Sequence, residues 1–207
     1  MESVWLRNFK RLQSIAITGL EFTQDKYDKE RYHEISNIAL TMLSTIADVP
    51  VNQIENLVGP KARGYDTPKV DVRGAVFEDN KILLVQEESD GLWTLPGGYA
   101  DVGLSAAENV EKEILEEAGI TVTARQLYNL RHKAKGGFDP DVREFYKLYF
   151  LCDLTGEQTL AAGVETTDAR FFGRHEIPPL STGRVIEEDL QIAWEFSIHH
   201  YQQTLFD

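Results

Sequence analysis

Cysteine is nearly absent. Cys152 is the only one, so no internal disulfide can form and nothing points to an oxidising compartment. It lies in the apolar run FYKLYFLC (Phe145 to Cys152) and is expected to be packed rather than reactive. Long hydrophobic stretches are missing as well. No run approaches the roughly 20 apolar residues needed to cross a bilayer. Arg7, Lys10 and Arg11 interrupt the first segment, MESVWLRNFKRLQSIAITGL, before a signal-peptide core can form. A soluble cytoplasmic protein is expected. Positive charge is scarce: 21 Lys and Arg stand against 34 Asp and Glu, a formal net charge of −13. That balance argues against broad electrostatic binding of nucleic acid or of an anionic membrane, and no stable partner of either kind is expected. A phosphate-bearing ligand would need local help from bound cations or a few arginines. There is also no internal repeat, no low-complexity tract, and no His and Cys cluster that would suit zinc.

The pattern of apolar residues divides the chain. Up to about residue 58 it is helical: Trp5, Phe9, Leu12 and Ile15 share one spacing, with Gly19 as a stop signal. A longer helix is predicted from near Asp25, burying Tyr27, Ile35, Ile38, Met42 and Ile46, and a short one from Val51 to Val58. GPKARGYDTP, Gly59 to Pro68, carries the Gly and Pro signals of a linker. The expected division is thus a helical domain over 1–58, a linker over 59–68 and a second domain over 69–207. In the second, period two takes over. Strands are predicted at Val70 to Phe77 and Lys81 to Glu87, joined by a turn at Glu78 to Asn80, and at Thr121 to Lys133, Arg143 to Asp153 and Ala169 to Phe172. A last helix, about Val185 to Gln203, would turn Ile186, Leu190, Trp194 and Ile198 to the core. Helical layers around a mixed sheet are the architecture these elements suggest.

The most informative segment is Gly97 to Ile120, GGYADVGLSAAENVEKEILEEAGI, where a glycine turn leads into a helix bearing Glu113, Glu116 and Glu117. Residues three and four apart on a helix are neighbours, with about 5–6 Å between Cβ atoms, so Glu113 lies beside both others. Three anions on one face repel unless hard divalent cations sit between them, and an oxygen-only set suits Mg²⁺ or Mn²⁺. Taken alone, EKEILEE reads by default as a solvated acidic face.

The surrounding residues resemble the Nudix hydrolase box, G-x5-E-x7-R-E-U-x-E-E-x-G-U, where U is a bulky aliphatic residue. Laid on Gly98 to Ile120, it is matched by Gly98, Glu113, Ile114, Glu116, Glu117, Gly119 and Ile120. WTLPGG, Trp93 to Gly98, resembles the family's lead-in strand and turn. Two positions depart. Leu104 replaces the first glutamate, for which Asp101 in the same loop is a partial substitute, and Lys112 replaces the arginine, keeping the charge without the planar fork. The resemblance implies an α/β (α+β) Nudix fold, an α/β/α sandwich with a mixed sheet, over about residues 68–207, preceded here by the small helical domain.

It also implies site residues. Glu113 and Glu117 would be the leading metal ligands, with Glu116 acting directly or through water. A main-chain carbonyl of the Gly97–Gly98 turn, assigned to Gly98, would complete the set around Mg²⁺ or Mn²⁺. Glu113 and Glu116 are also placed in the catalytic group. A general base often comes from the loop before the penultimate strand, where Glu165 is the candidate and Asp168 and Glu157 compete. Arg73, Lys112 and Arg143 are candidate phosphate contacts, Gly97 a backbone contact, and Tyr99 a surface for a base to stack on. Trp93 is expected to pack and His132 to be polar surface. KGGFDPD, Lys135 to Asp141, reads as a flexible loop able to close over substrate.

The reaction so implied is metal-dependent hydrolysis of the pyrophosphate bond in a nucleoside diphosphate linked to a group X, with X left to the loops. TPKVDVRGAVF, SDGLWTLPGGYADVG and FFGRHEIPPLS are similar to the CDP-choline and ADP-ribose pyrophosphatase subgroup. That favours CDP-choline, split to CMP and phosphocholine, with ADP-ribose or a nucleotide sugar second. A non-catalytic nucleotide sensor is the remote alternative, since such regulators tend to lose box glutamates. The apolar surplus of the N-terminal helices exceeds what a small bundle can bury, so a homodimer formed through them is expected.

Overall fold

The computed structural model describes residues 3–58, 65, 67–101, 103–156, 159–199 and 203–207; most of the expected linker, and Glu157, lie outside these. The chain forms two compact units, Met1–Lys69 with Pro140–Glu144, and Val70–Asp139 with Phe145–Asp207.

The first unit holds three helices, α1 (Val4–Phe22), α2 (Lys26–Ala47) and α3 (Val51–Val58). Caps set their starts. The Ser3 side chain accepts from the Leu6 amide, and Asp25 accepts from Tyr27 and Asp28 at 2.8 and 3.0 Å. Gly19 does not end α1, which runs on to Phe22; the bare face of Gly19 lies against the Tyr32 ring. The core is Leu6, Leu40, Leu43 and Ile54. In α2 the buried face is Ser36, Ala39, Leu40 and Leu43, about one residue round the helix from the predicted one. Tyr27, Ile38, Met42 and Ile46 are exposed, as are Trp5, Leu12 and Ile15 in α1, whereas Ile35 and Phe9 are half-buried. The physical reason is close packing. Small residues let α2 approach its neighbours, which leaves the bulkier apolar set on another face. Lys10 is buried, paired with Glu144 at 2.8 Å and donating to the Asp141 and Arg143 carbonyls.

The second unit is a mixed sheet between helices. Its strands are β1 (Lys69–Glu78), β2 (Lys81–Glu87), β3 (Trp93–Thr94), β4 (Val122–His132), β5 (Phe145–Leu154), β6 (Thr166–Phe172) and β7 (Leu205–Phe206), in the order β3-β2-β1-β5-β4-β7, with β6 on β2. The β1–β2 hairpin turns through Asp79 and Asn80, both at positive φ as a tight primed turn requires. Period two sorts the side chains. Val72, Val76, Leu83, Val85, Phe150 and Cys152 pack with Val110, Ile114 and Ala118 of α4 (Ala106–Ala118). Ala75, Ile82, Leu84, Tyr149 and Leu151 pack with Leu190 and Trp194 of α5 (Glu187–Ile198). Ile186 is half-buried, and Ile198, expected inside, is exposed at the end of a helix shorter than predicted. Sequence reading did not anticipate β7, which pairs in parallel with β4. No helix among the described residues is long and apolar enough to cross a membrane.

Candidate active site

Past β3 the chain runs beside β1. The amides of Gly74, Val72 and Ala100 bond to the carbonyls of Pro96, Gly98 and Val70 in turn. Gly97, between two such bonded residues, turns its N–H out of this ladder to the Glu117 carboxylate, 2.8 Å away. Its φ is +144°, and a Cβ there would stand 2.0 Å from the Val72 carbonyl, so no other residue fits. The Gly98 carbonyl, the expected metal ligand, accepts the Val72 amide; its Cα side faces Glu113.

The helix that answers this turn is fixed at its start. Ser105 and Glu108 form a reciprocal capping box, and buried Asn109 accepts the Asp101 amide at 2.8 Å, strapping the preceding loop to α4. Glu113 and Glu117 therefore come to the glycine turn side by side. Burial pushes the Glu117 pKa up to about 8, with Glu87 and Glu113 raising it further against Arg73 and the Gly97 amide. Glu113 is also raised, by burial first, against Lys112. Glu116 is more exposed and bonds to Lys112 at 2.7 Å; the same ammonium reaches Asp101 at 3.3 Å and Glu113 at 3.9 Å. Lys112 thus gathers three acids, Asp101 among them, while Leu104 lies exposed.

Beyond the helix, Thr166 donates to the Glu117 carbonyl at 2.8 Å and Ala161 to that of Ala118, so the loop carrying Glu165 is pinned over the end of α4. The Glu165 side chain is exposed, and its charge helps raise the pKa of Glu87. Asp168 is paired with Arg170. Tyr99 is 48% exposed and stacks on Phe145, with centroids 5.7 Å apart. Trp93 is packed edge-on to Phe172. Arg143 lies in the other unit, bonded to Asp141.

Arg73 departs from its expectation. It is buried, and its guanidinium grips Asp71 in two bonds of 3.0 and 2.9 Å and donates to the Leu95 carbonyl, so it presents no open fork to a phosphate. Lys147 joins the same carboxylate at 2.7 Å. Burial alone would raise the Asp71 pKa, but Arg73 and Lys147 hold it at about 2. The loop expected to be flexible is also pinned: Phe138 is buried, and Asp139 bonds Thr182 through its amide and carboxylate.

Sequence reading missed Lys147, although in FYKLYFLC it shares the inward phase of Tyr149 and Leu151. It also missed Glu87, a buried acid at the end of β2 held by Arg184 at 3.0 Å, because a strand-ending glutamate usually points to solvent. Arg184 further bonds Ser89, Asp90 and Ser181, so two distant motifs, SDGLW and PPLSTGR, meet beside the acids.

The donor set is oxygen only, and the carboxylates of buried Glu117 and half-buried Glu113, both raised first by desolvation, suit a hard cation. Among the described residues no three acids, histidines or cysteines converge as a ready metal cage, because Gly97 and Lys112 engage Glu117 and Glu116.

Comparison with known proteins agrees with this arrangement. Residues 67–191 match the NUDIX domain, and residues 3–58 match a UDP-X-like, N-terminal oligomerisation domain. A Bacillus subtilis protein provisionally named an ADP-ribose pyrophosphatase is 39% identical over 100% of this chain and 99% of its own length. The crystal structure of an ADP-ribose pyrophosphatase from Streptococcus suis is 41% identical, covers 68% of this chain and 100% of that one, and superposes with a TM-score of 0.62. A UDP-X diphosphatase structure covers 98% of both chains at 31% identity and a TM-score of 0.63. With its box glutamates set against the glycine turn, this chain belongs to the Nudix hydrolase family.

Proposed function

We propose that this protein hydrolyses the pyrophosphate bond of a nucleoside diphosphate linked to X, with ADP-ribose as the first substrate to test. The observation that carries the reading is the pair Glu113 and Glu117, desolvated side by side at the Gly97–Gly98 turn. The names borne by the Bacillus and Streptococcus relatives support moving ADP-ribose ahead of CDP-choline. CDP-choline and UDP-linked compounds remain the second reading, favoured by the meeting of the SDGLW and PPLSTGR segments and by the full-length likeness to the UDP-X diphosphatase.

In this reading Glu113 and Glu117 hold the ion, with Glu116 beside them, and the Gly97 carbonyl is preferred as the backbone ligand over that of Gly98, which accepts the Val72 amide. Mg²⁺ or Mn²⁺ bound there would neutralise phosphate charge and lower the pKa of a water toward neutrality. Lys112 keeps the acids together without the fork of an arginine. Glu165, exposed at the rim, takes the proton of the attacking water. Tyr99, 48% exposed, is the ring assigned to stack on the base. The assay is a panel of ADP-ribose, CDP-choline, UDP-glucose and nucleoside triphosphates with each metal. Cleavage of CDP-choline while ADP-ribose is untouched reverses the order, and cleavage of none of them overturns the reading. For Glu165→Gln, a steep fall in turnover with metal affinity intact is expected; near-unchanged turnover removes Glu165 as the base.

The helical unit is assigned to self-association as a homodimer. The match to an oligomerisation domain and the exposed apolar residues Ile38, Met42 and Ile46 support it.

A further inference from the structure

Lys147 is almost wholly buried, yet its surroundings do not balance it. Its ammonium bonds to Asp71 at 2.7 Å, and the same carboxylate is already held twice by Arg73. Two interior cations share one anion. Glu117 feels the charge of Arg73 but bonds to Gly97 instead. An excess buried charge is costly unless something completes it. Of the three donors on the Lys147 head, Asp71 takes one, and the Phe138 ring lies 5.6 Å from nitrogen to centroid. That ring also lies 5.8 Å from the Arg131 guanidinium, so it fills a space walled by two cations.

Phe138 reaches this place on a short segment built to allow it. A Cβ on Gly136 would stand 2.6 Å from the ring, so the seat depends on glycine there. Asp139, next in the chain, donates its amide to the Thr182 carbonyl at 3.1 Å and accepts from the Thr182 hydroxyl at 2.6 Å. A ring contact and two hydrogen bonds make a cover that a stronger ligand can displace. An anionic phosphate offers Lys147 the acceptors that an aromatic ring lacks.

Resting on the pyrophosphohydrolase reading, we propose that Lys147 is a substrate-binding residue for a second phosphate of the nucleotide, one not under attack at the box glutamates, and that Phe138 fills that position until a nucleoside diphosphate displaces it. Asp71 joins Lys147 to Arg73, whose charge in turn reaches Glu117.

The test is Lys147→Met in the full chain, with ADP binding measured by calorimetry without divalent metal. The expected result is a Kd raised about tenfold or more, a raised KM with kcat little changed, and a melting temperature unchanged or higher, since Asp71 and Arg73 then balance one to one. Unchanged ADP affinity and KM, with a lower melting temperature, would make Lys147 a structural ion-pair member and overturn the proposal. Should that variant fail to fold, Phe138→Ala keeps the question open to measurement. Acetic anhydride should then label Lys147 faster than in the wild type, and ADP should slow the labelling; equal labelling with and without ADP sinks the idea. The two readings fail separately. A wild type that cleaves no substrate but binds ADP through Lys147 removes the hydrolase reading alone, and cleavage with unaltered ADP binding in Lys147→Met removes this one alone.

Discussion

Glu117 is at once a fastener and a proposed ligand: its carboxylate holds the Gly97 amide, and on the proposed reading it also binds the ion. Glu117→Gln keeps an acceptor for that amide and removes the charge. The fold should survive while turnover drops on the order of a hundredfold or more, measured beside thermal unfolding. Asp71 has the opposite character, purely interior and doubly paired. Asp71→Asn strands two buried cations and should cost roughly 3–5 kcal/mol in urea unfolding. Its pH signature follows from a folded pKa held at about 2, below the ordinary 3.8. A depressed acid lends its stability in full above 3.8 and loses it as pH falls through about 2, so the wild type should weaken over that window and Asp71→Asn should lack this share of the loss. The box glutamates were legible because their spacing is a helix property, while Arg73 was legible as a cation but not in its direction. Which face of β1 it takes, and that Asp71 two residues earlier captures it, depends on strand pairing, which one sequence does not display.

Secondary elements divide along the same line. Strands β1, β2, β4 and β5 were readable from alternation because each packs side chains on both faces of the sheet, and the limits of β2 and α3 match their predicted spans, whereas exposed β7 gave no such signal. The phase of α2 was not readable, since Ile38, Met42 and Ile46 are as regular as the residues that are buried, and only close approach to neighbours selects Ala39, Leu40 and Leu43. Helix α4 carries the whole carboxylate array, and its start rests on two reciprocal bonds between Ser105 and Glu108. Ser105→Ala should lower stability by about 1 kcal/mol, seen as a shift of the urea midpoint. Because Asn109 still straps the Asp101 loop to the helix, KM and kcat should move far less than in Glu117→Gln.

At the scale of the whole molecule, one unit carries the chemistry and the other carries unspent apolar surface. If Ile38 and Met42 face a second copy, Ile38→Glu with Met42→Glu should convert a dimer mass to a monomer mass in light scattering at micromolar concentration. A monomeric wild type would remove the assembly proposal and leave the catalytic one standing. The lone thiol gives the means to follow such variants. Cys152 is 4% exposed within β5, and burial pushes its pKa far above the ordinary thiol value. In the native state it should be silent to thiol reagents, so its modification rate should report opening of the catalytic unit around β5. Any cysteine placed on the surface of α2 becomes the single reactive handle on the chain.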